Sequence, residues 1–342
     1  MQNTKVLPMN FPVITSYPTH ANILSCVQQY EDSMQWFYNY YIQLFAEGVL
    51  TRGYYVDFCT PVPWRSCPWI DFQRIGKEMV EKKWDSITEF IIDCIDSDYY
   101  VFLYLDQFYI SEAVPYQKQK YAHDTFIFGY DLQKKLFNVA DFYKFSKYYY
   151  TSIPFSQIED AYNNLDLSGV VDNLQGIILI KPVRYDDYDF NVNIVAGFLN
   201  DYLQAKNTFG NYTGGYRKDI GQKNDFWVYG MDVYKLLQDH LQLFLERQAS
   251  LDIRAFHVLL DHKTLMLNRI KYLMENKHLN NAAPIYEEYK VVKNQAISLR
   301  SLAIKAHLTR DEKTIRDTSN TILQIATKER SVLEDLLENI IT

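Results

Sequence analysis

Two residues in the middle of the chain have the types and the spacing of a general base and its orienting carboxylate. His123 opens one predicted strand and Asp141 closes the next, 18 residues later. A hairpin turning over residues 131–134 puts residue 124 roughly opposite 141. Imidazole and carboxylate then lie side by side at one end of a sheet. An aspartate in that place fixes the imidazole tautomer and stabilises the imidazolium. A nucleophile at the start of an N-terminal helix would complete the set, because the helix dipole lowers a thiol's pKa. Asp106 interrupts an apolar strand just before Gln107. It either lines the same cleft or ends the buried part of its strand.

Other chemistries find less support. His257 and His262 flank Asp261 on a predicted helix, but a spacing of five takes them off one face, so no metal is expected. Cys59 and Cys67 are eight apart around two prolines and Trp64, unlike a zinc knuckle. With Cys26 and Cys94 they are expected to be reduced thiols. No Walker motif or Gly-rich dinucleotide fingerprint occurs, so no cofactor is expected. The segment 207–224, with Gly214, Gly215, Arg217 and Lys218, reads either as a cradle for phosphate or phosphopantetheine or as a solvated linker.

The elements that must position these residues follow from periodicity. Residues 20–46 read as a helix, with Ile23, Val27, Tyr30, Met34, Phe37, Tyr41 and Leu44 at steps of three and four and Thr19 as N-cap. Residues 51–69 read as loop around Pro61, Pro63 and Pro68. Ile70–Asp96 reads as two helices split near Trp84–Ser86, with Ser86 and Glu89 forming a capping box. The period then changes. Residues 99–105, Thr125–Tyr130, Leu136–Asp141 and Gln175–Val183 are β-prone runs that make a mainly antiparallel sheet. Residues 190–205 return to helix, and after Met231 the pattern is helical almost to the end, as in a bundle.

Composition divides the chain in a similar way. Of 54 aromatic residues among 342, all but nine lie in residues 1–220. That segment carries a formal charge of −8, whereas residues 221–342 are close to neutral. The expected organisation is a catalytic domain over 1–206, a flexible loop over 207–224 and a helical domain over 225–342. Twelve glycines, ten prolines and 48% hydrophobic residues exclude disorder and low-complexity linkers. A net charge of −7 argues against nucleic acid as a partner. No apolar run approaches the roughly 18–20 residues that span a bilayer, and no targeting segment opens the chain, so a cytoplasmic protein without membrane partners is expected.

The stretch "YYVFLYLDQFYI … AHDTFIFGYDLQKKLFNVADFY" resembles the butirosin H-protein N-terminal family. Its members share a strand ending in Asp, then a "HdxxvyGYd" strand, then "lfxvaDf". The segment "YPTHANILSCVQQYEDSMQWFYNYYIQL" resembles the family's nucleophile helix, and the helical tail is compatible with it. The resemblance implies a papain-like α+β fold followed by an α-helical bundle. It implies an acyltransferase that forms an amide from an acyl thioester on a carrier protein and an amine acceptor, as in natural-product assembly. Closthioamide-type amide-forming enzymes are a plausible relative. His123 and Asp141 take the family's base and orienting positions. The family's nucleophilic Cys falls at Thr19, just before His20, and the nearby thiol is Cys26, seven residues on. Two helical turns, about 10.5 Å, separate them, so both cannot meet His123. Position favours Thr19 and thiol chemistry favours Cys26. A peptidase or thioesterase of the same fold, and a catalytically degenerate scaffold protein, are the alternatives.

Overall fold

The computed structural model describes residues 3–49, 53–144, 147–168, 176–208 and 227–341. In chain order the first elements are β1 (Thr4–Val6), α1 (Pro18–Val27), α2 (Met34–Tyr40), β2 (Leu44–Val49), β3 (Gly53–Phe58), α3 (Pro63–Ser66), β4 (Ile70–Ile75), α4 (Lys77–Lys83), α5 (Ile87–Asp96) and β5 (Tyr100–Asp106). There follow β6 (Ala122–Asp131), β7 (Leu136–Asp141), β8 (Tyr149–Pro154), α6 (Phe155–Asn163), β9 (Ile177–Pro182), α7 (Val192–Leu203) and β10 (Val228–Tyr229). The helices α8 (Asp232–Leu245), α9 (Arg254–Glu275), α10 (Ala282–Thr309) and α11 (Glu312–Asn339) complete the chain. The class is α+β, with an antiparallel sheet and a C-terminal helical region.

The chain divides into two compact units, and the division does not follow composition. One unit comprises Met1–Ser33 and Pro63–Asp186; the other comprises Met34–Val62 and Asp187–Thr342. The break expected at 207–224 lies, apart from residues 207 and 208, outside the described residues. Residues 34–62 and 187–206, placed by composition with the aromatic domain, belong to the helical unit. Aromatic content tracks neighbours in sequence, whereas the units are set by what each side chain packs against.

The first unit is built on a seven-stranded sheet in the order β4-β9-β5-β6-β7-β8, with β1 paired to β6 off that path. All pairings are antiparallel. Strand β5 is central because its run Tyr-Val-Phe-Leu-Tyr-Leu is apolar on both faces, and all but one of its residues are buried. Each fully buried Val, Leu or Phe there contributes about 1.5–3 kcal/mol. The β6–β7 register shifts between Ile127 and Gly129. Phe128 is thus an extra residue, a bulge. At Gly129 a Cβ would sit 2.7 Å from the Lys5 carbonyl oxygen, so glycine is what lets β1 close on β6. Ser86 caps α5 as the sequence predicts, its Oγ accepting the Glu89 N–H at 3.1 Å.

Three expectations are corrected. The helix predicted over 20–46 is broken into α1, a 3-10 turn at Glu31–Ser33, α2 and then strand β2. Leu44, read as the end of a helical stripe, pairs instead with Phe58 in a hairpin. The loop predicted over 51–69 therefore contains β3, whose Tyr54, Tyr55 and Val56 are good strand formers. The first helix predicted after Ile70 begins as strand β4, paired along its length with β9.

The second unit holds the three-stranded sheet β10-β2-β3 and helices α2 and α7 to α11. On α11 the residues Ile322, Ile325, Val332 and Leu336 are buried on one face, as predicted, while Ile340 lies just beyond the helix end. No described helix is long and apolar enough to cross a membrane.

Candidate functional site

The polar residues at the start of β6 interrupt an otherwise apolar strand. His123 pairs with Leu105 of β5, and Phe126 pairs with Ala140 of β7. One step on, Thr125 comes opposite Asp141, so the register differs by one residue from the expected pairing of 124 with 141. Strand residues two apart share a face, and His123, Thr125 and Asp141 therefore point the same way. The predicted juxtaposition holds: His123 Nδ1 lies 3.2 Å from Asp141 Oδ1 and 3.3 Å from Oδ2.

Nδ1 also lies 3.0 Å from the Asp124 carbonyl oxygen. Both neighbours are acceptors, so Nδ1 carries the hydrogen. The neutral ring then presents its lone pair on Nε2. Nε2 makes no hydrogen bond to a described residue, and the His123 side chain keeps 21% of its surface exposed. The Tyr121 ring stacks on the imidazole, with centroids 5.6 Å apart and planes inclined by 25°.

Asp141 is fully buried and held from several sides. Oδ1 accepts the Phe142 N–H at 2.6 Å. Oδ2 accepts from Thr125 Oγ1 at 3.2 Å and from Gln107 Nε2 at 3.3 Å. A second carboxylate, Asp124, stands 3.6 Å from Nδ1. Burial pushes the Asp124 carboxyl up to about 6; the His123 charge opposes this and the Asp141 charge adds to it. Burial works against a charge on His123, but Asp141 and then Asp124 outweigh it, and the imidazole is raised to about 10.

Asp106 neither reaches the imidazole nor merely ends its strand. Its Oδ1 accepts the N–H groups of Phe108 and Tyr121, both at 3.0 Å, and Oδ2 pairs with Lys120 Nζ at 3.0 Å. Burial alone would raise this carboxyl, but the Tyr121 N–H, the Lys120 ammonium and the Phe108 N–H hold it below the usual range. Asp106 thereby closes the loop that carries Gln107 at one end and Tyr121 at the other. Lys120 packs over Tyr109, 4.3 Å from the ring centroid.

Helix α1 carries the two predicted nucleophiles. Its N-cap is Tyr17 without a side-chain cap, and Pro18 occupies the first turn. Thr19, expected as the N-cap, is one residue inside the helix and half-buried. Cys26 is fully buried near the other end, and its Sγ donates to the Ile23 carbonyl at 3.2 Å. Burial and then Cys67 push its thiol well above the usual range. Among the described residues no hydrogen bond or ion pair joins Thr19 or Cys26 to His123. The helix is tied to the β7–β8 connection instead. Tyr148 donates to Asn22 Oδ1 at 2.8 Å and its hydroxyl lies 3.2 Å from Ser25 Oγ. Tyr149 and Tyr150 open strand β8, with Tyr149 opposite Asp141.

Thr125, Gln107, Asp124, Tyr121 and Tyr143 were not singled out from sequence as site residues. The available signal was three consecutive polar residues, His123-Asp124-Thr125, at the head of an apolar strand. All four cysteines are buried free thiols. Among the described residues no group of three or more His, Cys, Asp or Glu is placed to hold a metal ion. The glycines and cations proposed as a phosphate cradle, Gly214, Gly215, Arg217 and Lys218, lie outside the described residues.

No protein-family model matches the chain, and no curated protein is significantly similar to it.

Proposed function

We propose that this chain is a papain-like acyltransferase. It would move an acyl group from a thioester on a carrier protein to an amine, giving an amide. The observation that carries this reading is the His123–Asp141 pair, with Nδ1 held as donor and Nε2 open. In the reading, the Thr19 hydroxyl attacks the thioester carbonyl while Nε2 of neutral His123 removes its proton. That proton passes to the sulfur of the departing carrier thiol. The amine then attacks the Thr19 ester, gives a proton to His123, and Thr19 takes it back as the amide leaves. Thr19 is preferred to Cys26 because it sits in the first turn of α1, where the family resemblance puts the nucleophile, whereas the Cys26 thiol is buried and engaged by its own helix. No cofactor enters, and any phosphopantetheine belongs to the carrier.

The test is to mix carrier-bound acyl donor and amine with wild type and with His123→Ala and to weigh the products. Amide formation falls by about 10²–10⁴-fold in the variant if His123 is the general base. Equal turnover overturns the mechanism, and free acid as the product moves the assignment to a peptidase or thioesterase. A degenerate scaffold protein is the second reading. It is favoured by the lack of any bond between His123 and Thr19 or Cys26, and it expects no turnover in wild type.

A further inference from the structure

We infer that Tyr143 is a positioning residue for the His123–Asp141 pair and acts through the Thr125 hydroxyl; this rests on the acyl-transfer reading given above. Tyr143 lies two residues beyond Asp141, after the end of β7. Its backbone carbonyl accepts the Val114 N–H at 3.3 Å. Asp141, Thr125 and Tyr143 are at most 1% exposed. The direction of the hydrogen bonds follows from the donor inventory. A carboxylate only accepts, so the contact at 3.2 Å uses the single Thr125 hydroxyl hydrogen toward Asp141 Oδ2. The 2.8 Å contact between Thr125 Oγ1 and Tyr143 OH must then be donated by Tyr143. The result is one line of donors: Tyr143 to Thr125, Thr125 to Asp141, and His123 Nδ1 to the same carboxylate.

The Tyr143 phenol stays protonated, since burial and then the Asp141 charge push it well above its ordinary value. A phenylalanine would fill the same space, so packing does not require the hydroxyl. Its burial is costly unless it is bonded, and its bonding goes to Thr125 alone among the described residues. Hydrogen bonds in series polarise one another, and here they fix the plane of the carboxylate. That plane sets the tilt of the imidazole and the direction of Nε2. Gln107 and the Phe142 N–H hold the same carboxylate from other sides. The other titratable groups acting on His123 are Asp124 on its own strand and Tyr121; those acting on Tyr143 include Tyr149 and Asp124.

The test uses the full chain with Tyr143→Phe, Thr125→Val, the double variant and Thr125→Ser. Two quantities are read: the ¹⁵N-edited imidazole N–H signal of His123, assigned by its loss in His123→Ala, and the kcat and KM of acyl transfer. Tyr143→Phe should shift the His123 signal and lower kcat about tenfold with KM little changed, the size usual for an outer hydrogen-bond partner of a functional histidine. Thr125→Val should do the same, the double variant should be no worse than Thr125→Val, and Thr125→Ser should restore both readouts. An unshifted His123 signal in Tyr143→Phe overturns the inference, as do effects that multiply in the double variant. Should Tyr143→Phe not fold, Thr125→Ser and Thr125→Val decide, and an equal shift in both overturns it. Absence of transfer by wild type would sink the acyl-transfer reading alone, because the His123 signal reports on the relay without turnover.

Discussion

The two units each contain a histidine within a buried polar network, and the two networks are built to opposite ends. In the first unit His123 has one ring nitrogen saturated by acceptors and the other without a described partner. In the second, His262 of α9 is fully buried with both nitrogens engaged: Nε2 with the Ile42 carbonyl at 2.7 Å and Nδ1 with Lys263 Nζ at 2.9 Å. Lys263 pairs with Glu329 at 2.7 Å, both wholly buried. Glu329 accepts from Tyr289 and Tyr234, each at 2.6 Å, and from Tyr202 at 3.1 Å. Two carboxylates raise His123, whereas burial and then the Lys263 charge drive His262 well below its ordinary value. A closed network spends all its donors and acceptors on itself and specifies packing. An open one leaves a ring nitrogen over. The same residue type is thus closed off in one unit and left open in the other, and the difference between them is unspent hydrogen-bonding capacity.

That contrast can be broken most forcefully at Glu329. Glu329→Gln leaves the Lys263 charge buried without its partner, and such a change costs about 3–5 kcal/mol. The urea midpoint of the helical unit should fall accordingly; an unchanged midpoint would mean that the network is not closed.

At the open network the lever is Asp124. Asp124→Asn removes one of the two carboxylates that raise His123. The neutral base then forms at lower pH, and the rising limb of kcat/KM should move down by about one pH unit, worth about 1.4 kcal/mol. The same linkage acts on stability. The folded value lies above 6.5, so the stabilisation from the imidazolium is complete below pH 6.5 and is lost as pH rises toward about 10. Denaturation in the Asn variant should show the same onset near pH 6.5, with this loss complete at a lower pH than in wild type.

The smallest effect belongs to Cys26. Cys26→Ala should destabilise by about 1 kcal/mol, the size of one buried group, and leave acyl transfer intact. A collapse of transfer would restore the thiol as nucleophile.

How much of this was legible in the chain depended on whether the signal was local. Ser86 could be read because a capping box lies within four residues. Strand β7 was read to the residue, and the pairing of His123 with Asp141 followed from one short hairpin. The Phe128 bulge was invisible, since alternation alone does not mark an extra residue; the hairpin closes with Asp131 opposite Leu136, two residues off the expected pairing, and the bulge takes this back to one at Asp141. The break after Val27 was hidden because Tyr30, Met34 and Phe37 continue the helical step across it, while the β-prone partner of β2 lies beyond the turn. Glu329 occupies a stripe position between Ile325 and Val332, and Lys263 occupies one between Leu259 and Met266 on α9. A charged residue at such a position announces a buried partner, but the partner is named only by the fold.

The chain's route between the units has a consequence for synthesis. Each unit is made of two separated pieces, so the chain passes between them three times. The His262 bond to the Ile42 carbonyl spans 220 residues, and Arg269 donates to the carbonyls of Phe37, Tyr38 and Tyr41 across similar distances. At about 5–20 residues per second, the α2–β3 segment waits about 10–40 s on the ribosome for these partners. During that interval Trp36, Phe37 and Tyr41 have no finished core to enter, which makes the nascent helical unit the stage at which a chaperone would have most to do.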